Sequence, residues 1–138
     1  MATTGYSSTP LAKKLGIKEG HVIRLVNEPA YYFNLFTDFP ANVKMEKDKS
    51  VKKDFVHYFT KVAEELEKDI LNLQTEIEPN GMVWISWPKK SSKIATDITE
   101  DVIRALALAN GLVDIKVCAV DEIWSGLKLV IPVSRRKR

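Results

Sequence analysis

The chain is short of the residues on which catalytic and metal chemistry is usually built: one cysteine, two histidines and six glycines among 138 residues. A single thiol, Cys118, excludes an intrachain disulfide and has no second cysteine for a zinc site. It lies in an apolar, strand-like run and reads as a small buried hydrophobe, which suits a reducing compartment. His21 and His57 are far apart, and neither has a second His or Cys at ligand spacing. No serine sits in a Gly-x-Ser-x-Gly elbow, so the nucleophile of a hydrolase is missing too. No apolar run approaches the roughly 18 residues of a membrane span. Met1 to Gly5 shows no charged segment leading into an apolar core. A cytoplasmic protein with no membrane association is therefore expected.

Charge is also scarce once its location is considered. The formal net charge is +3, but Arg135, Arg136, Lys137 and Arg138 contribute +4, which leaves residues 1–134 at −1. The expected organisation is a single α/β domain over 1–134 followed by a solvated basic tail over 135–138. A nucleic-acid reader concentrates Lys and Arg along a folded surface. Nucleic acid is accordingly not the expected partner.

What is present is a regular alternation of strand and helix patterns. Thr9-Pro10 reads as the cap and first residue of a short helix that Gly16 stops. His21 to Val26 is the first strand, broken at Asn27-Glu28-Pro29, and the aromatic-rich Ala30 to Phe36 suits a helix packed on a sheet. Val43 and Met45 alternate with Lys44 and Glu46 as a short edge strand. Phe55 to Phe59 is almost continuously apolar, the pattern of a central parallel strand covered on both faces. Val62, Leu66, Ile70, Leu73 and Ile77 recur at helical spacing, with Thr60 as a cap and Pro79-Asn80-Gly81 as the stop. Met82 to Trp87 is the next strand. A helix opening at Asp97 carries Ile98, Val102 and Leu106 to a stop at Asn110-Gly111, and two alternating runs around Trp124-Ser125-Gly126 form an antiparallel hairpin. The fold class is α/β: three layers around a mostly parallel sheet of about six strands.

A strand-helix series closed by such a hairpin resembles a shortened class I methyltransferase fold, a Rossmann-like architecture. Tyr6 to Leu11, Lys14 to Ile17, Trp87-Pro88-Lys89-Lys90, Thr96 to Val102 and Val113 to Glu122 are similar to motifs of a family of small bacterial proteins described as a domain of unknown function. The resemblance covers both ends of the chain better than residues 28–80. It implies a fold and carries over no activity.

A phosphate cradle after the first strand needs glycines for close approach of the backbone. Here that loop is Asn27-Glu28-Pro29, and every glycine has a turn or cap role, Gly126 turning the hairpin. No cofactor is therefore expected. Glu46 and Asp48 could mimic the acid that holds a ribose, but they read as a solvated face. Ligands of open α/β sheets bind beyond the carboxyl ends of the strands. The candidate ligand set is Lys89, Lys90, Ser91, Thr96 and Asp97, with Asp121, Trp124 and Lys128 from the hairpin and Trp87 or Trp124 as an apolar wall. The competing reading makes Asp97, Glu100 and Asp101 first-turn acids of the following helix and partners of the lysines. Trp84 and Trp87, three apart in a strand, face opposite ways and cannot form one stacking platform.

The leading expectation by subtraction is a non-catalytic binding or regulatory module with a small-molecule or protein partner. An atypical enzyme of methyltransferase-like fold, binding S-adenosylmethionine or another nucleotide through an unusual loop, is the alternative. Nucleic-acid binding through the basic tail is the third reading.

Overall fold

A computed structural model describes residues 9–136 of the chain. The N-terminal motif Tyr6-Ser7-Ser8, the leader reading of Met1 to Gly5, and Lys137 and Arg138 of the tail lie outside the described residues. One six-stranded sheet organises the rest. Its strands are β1 (Val22–Val26), β2 (Lys44–Met45), β3 (Lys53–Phe59), β4 (Ile77–Pro88), β5 (Val113–Ala119) and β6 (Trp124–Val130), in the spatial order β2-β1-β3-β4-β6-β5. The first four run parallel, and β6 is antiparallel to both β4 and β5, so β5 again runs with the parallel set. The α/β, mostly parallel architecture is as expected, and β3 is central.

Helices α2 (Ala63–Glu76) and α3 (Glu100–Ala109) cover one face. Leu66, Ile70 and Leu73 of α2 and Ile103 and Ala107 of α3 pack there on Val56, Val83, Ile85, Trp87, Leu127 and Leu129. The short α1 (Leu11–Leu15) covers the other face, where Ala12 and Leu15 meet Ile23, Phe55 and Trp84. Trp84 and Trp87 thus belong to opposite cores, as strand periodicity requires. The Trp84 indole is held by donation to Leu15 O at 2.8 Å. No helix among the described residues is long and apolar enough to cross a membrane.

Several boundaries differ from expectation for local reasons. Thr9 does not cap α1; Asp38 does, its two carboxylate oxygens accepting from Ala12 N and Lys13 N at 3.2 Å. Ala30 to Phe36 forms only a 3-10 turn over Tyr32–Leu35, because Tyr32 is drawn into the sheet core instead of lying along a helix face. The α2 stripe is shorter than its sequence period: Val62 is 48% exposed, and Ile77 already pairs with Lys53 as the first residue of β4. Gly126 does not turn the hairpin. It lies within β6, where a Cβ would come within 3.0 Å of Trp84 Cε3.

A buried ion cluster ties β1, β3 and α2 together. Glu76 receives Arg24 Nε at 2.6 Å and Nη2 at 2.8 Å, and Lys53 Nζ at 2.8 Å. Lys53 is fully buried and also donates to Asp48 O and Val51 O, both at 2.6 Å. Burial raises the Glu76 carboxyl, but the hydrogen bonds from Arg24 and Lys53 outweigh it and hold the group below the usual range.

Candidate functional site

The chain leaves β1 toward β2 on one side and returns to β3 on the other, so the direction of winding reverses between β1 and β3. In open α/β sheets that reversal opens a crevice at the carboxyl edge. Here Asn27 follows β1 at φ 57° and donates from Nδ2 to Phe59 O at the end of β3. Asparagine tolerates this left-handed conformation, so it makes the turn that a glycine would otherwise supply. The next residues then diverge. Tyr32 turns inward and its hydroxyl lies 3.0 Å from His57 Nδ1, whose Nε2 lies 2.7 Å from Ser86 Oγ. Burial pushes His57 down to about 3 and raises the Tyr32 hydroxyl. His57, in the middle of β3, is therefore a neutral, buried and hydrogen-bonded histidine.

Tyr31 reaches instead across the edge and donates to Asp121 Oδ2 at 2.8 Å. The other oxygen of Asp121 accepts from Ile123 N at 2.9 Å and Trp124 N at 2.7 Å, which fixes the β5–β6 turn. Trp124 stands edge-on to Phe59 with ring centroids 5.0 Å apart. Of the expected residues, Asp121 thus meets the loop after β1 through a contact 90 residues apart in sequence, and Trp124 meets the end of β3. Tyr31 and Asn27 were missed by the sequence reading. The missing glycines concealed the turn, although an asparagine before Glu28-Pro29 was itself a signal for it.

At the end of β4 the expected cluster splits. Lys89 N donates to Ile123 O, joining β4 to the hairpin turn. Lys90 and Ser91 are exposed on a 3-10 turn over Lys90–Ser92, closed by Ser92 Oγ donating to Lys89 O. Thr96 Oγ1 donates to Lys61 O at 2.7 Å. Asp97 is not in the first turn of α3, whose cap is Thr99; it accepts from Ala63 N at 2.7 Å and so caps α2. The competing reading of Asp97 as a helix-capping acid was right in kind and wrong in helix. Lys90, Lys93, Thr96 and Glu100 line a cavity of about 430 Å³ whose apolar wall is Trp87 and Ile94.

Lys128 belongs to neither group. It sits mid-strand opposite Trp84 and beside Lys116, on the α1 face. Glu46 also falls short of the edge, because β2 ends level with Ile23 while β1 continues to Val26. Its carboxylate accepts from Asp48 N.

No family model matches the chain, and no curated protein matches it. Solved structures do. A protein assigned as a type 11 methyltransferase from Sulfolobus solfataricus superposes over 93% of each chain with a TM-score of 0.64 at 14% identity. A SAM-dependent methyltransferase from Aquifex aeolicus matches over 88% of this chain and 87% of its own, at 17% identity and a TM-score of 0.60. Magnesium protoporphyrin IX methyltransferase from Synechocystis, solved with bound SAH, covers 87% of this chain and 78% of its own at 13% identity and a TM-score of 0.52. At these identities the fold is what is shared, and the shortened methyltransferase-like architecture is established. The matches correct the expectation of a non-catalytic binding or regulatory module. That expectation rested on what the sequence lacked, whereas the fold it adopts is that of methyltransferases.

Proposed function

We propose that the chain is an atypical enzyme of methyltransferase-like fold that binds an adenosyl ligand at the carboxyl edge between β1 and β3. The observation that carries this reading is the strand order, four parallel strands followed by β6 inserted in reverse between β4 and β5, in a chain whose matches with methyltransferases extend over most of both partners. Fold does not imply function, so the site has to fit.

The loop Asn27-Glu28-Pro29 has no glycine and supplies no phosphate cradle, which disfavours a dinucleotide. S-adenosylmethionine has no phosphate to cradle; it carries a sulfonium and an ammonium. Carboxylates and aromatic faces suit such cations. Glu28, on the loop, and Asp121, joined to that loop through Tyr31, would hold the ligand, and Trp124 would face it. When bound, S-adenosylmethionine supplies an electrophilic methyl group.

The cavity at the end of β4 is the proposed acceptor pocket. Lys90 and Lys93 give it positive charge and Trp87 an apolar wall, so the acceptor chemistry it suits is a small molecule with an aromatic or aliphatic body and an anionic group. Thr96 and Asp97 act as positioning residues, fastening this loop to Lys61 and Ala63 beyond β3.

The test is calorimetric titration with S-adenosylmethionine and S-adenosylhomocysteine, backed by thermal melting. Binding at 100 times Kd adds about 2.7 kcal/mol, which for a domain of this size raises Tm by roughly 6–12 °C. Asp121→Asn should weaken binding while Lys90→Gln leaves it unchanged. An unmoved Tm at millimolar ligand, with no heat of binding, would overturn the reading.

A further inference from the structure

On the α1 face, lysines gather where the helix crosses the β5–β6 hairpin. Lys13, Lys14 and Lys116 line a groove of about 530 Å³ with Cys118 and Ala119. Lys128, the register partner of Lys116, stands beside it and is half-buried, its ammonium 3.7 Å from where a Gly16 Cβ would lie. Burial and the neighbouring Lys116 and Lys18 lower its affinity for a proton. A half-buried ammonium facing other ammonium groups is a costly arrangement in a protein with acids to spare.

Three acids beside these lysines, in structure or in sequence, are engaged elsewhere. Among the described residues Lys13, Lys18, Lys116 and Lys128 make no ion pair. Asp38 is bound to the α1 amides, Asp114 to Arg104, and Glu19 to Asn42. Residues 1–8 contain no Asp or Glu. The cluster is also held in place by the backbone: Lys14 Nζ donates to Ala119 O and Lys116 Nζ to Lys14 O, both at 3.2 Å.

We propose that this groove is a binding site for a run of linked phosphates. Several fixed cations along a groove of ligand size match consecutive anions better than one carboxylate or a single phosphate. The groove lies on the α1 face at β5 and β6, apart from the β1–β3 crevice, and does not depend on what binds there. The linked phosphates come either from a nucleotide or from a nucleic-acid backbone, two sources with one chemistry.

Isothermal titration of the full chain with inorganic tripolyphosphate at low salt tests the site. The parent should bind, more weakly as salt rises, and Lys116→Gln and Lys128→Met should each raise Kd at least tenfold. Lys68→Gln, on the exposed side of α2 and away from both cavities, should bind as the parent does. Thermal melts establish that the variants fold, and Lys128→Met removes a crowded charge while keeping the length of the side chain. Absence of binding, parental affinity in both groove variants, or an equal loss in Lys68→Gln would overturn the proposal. Competition then names the source: displacement by adenosine triphosphate supports a nucleotide, and displacement by a single-stranded oligonucleotide alone supports a nucleic-acid backbone.

Discussion

His57 should make the stability of this protein depend on pH between neutrality and about pH 5. The ring is completely buried between Tyr32 and Ser86, and burial holds its pKa at about 3 in the folded state. In the unfolded chain a histidine titrates near 6.5. Above that pH both states are neutral and the full stability is present. As pH falls below about 6.5 the unfolded chain takes up a proton that the folded one refuses, which lowers stability by about 1.4 kcal/mol per pH unit until the folded ring itself titrates. Between pH 7 and pH 5 the loss comes to about 2 kcal/mol. Urea melts at half-unit intervals over this range would measure it, and His57→Gln should flatten the slope because glutamine does not titrate. Ring resonances in NMR give a second measurement on the intact protein. A His57 ring that protonates near pH 6.5 in the folded state would refute the reasoning.

Three further expectations follow from the packing. Glu76→Gln should cost about 3–5 kcal/mol in urea denaturation, because it leaves the buried Lys53 ammonium without its carboxylate; a loss under about 1 kcal/mol would show that Lys53 is compensated by carbonyl oxygens alone. The same carboxyl has its pKa lowered on folding, so its contribution is present above about pH 4.5 and lost as pH falls through its folded value, a dependence that the variant should lack. Asp97→Ala should cost about 0.5–2 kcal/mol by uncapping α2, with faster hydrogen exchange at the Ala63 amide; unchanged exchange there would be the contrary result.

Hydrophobic periodicity made the architecture legible. Phe55 to Phe59, apolar on both faces, could only be a central strand, and the switch from helix-spaced to alternating residues after Val113 announced the reversed pair. Elements governed by distant partners were not legible in that way. The acid that caps α1 is Asp38, some 25 residues away, and the acid that caps α2 is Asp97, 34 residues away; nothing in local spacing reports either. Tyr32 sits in a run with helical character, yet its ring is more stable beside His57 and Phe59 than on a helix face. The candidate site was half legible. Asp121 and Trp124 lie at the edge where a hairpin tip should be, and Lys90 and Thr96 share a cavity. Lys128 was misplaced because strand length alone does not say how far along β6 a residue sits.

The insertion of β6 between β4 and β5 also sets an order in which the sheet can be assembled. As the chain emerges from a ribosome, β1 to β4 can pair with one another, but β5 has no neighbour in the sheet until β6 arrives. Until then β4 is an open edge, with Val83, Trp84 and Ile85 in sequence along it, and a strand in that state is a template for pairing with another chain. A chain cut before Trp124 would therefore lose two strands, not one, and would keep this edge exposed. Asp121 would remain, but without the Trp124 amide and the closed β5–β6 turn that fix it for Tyr31, so the edge proposed to hold the ligand is completed only when the hairpin closes.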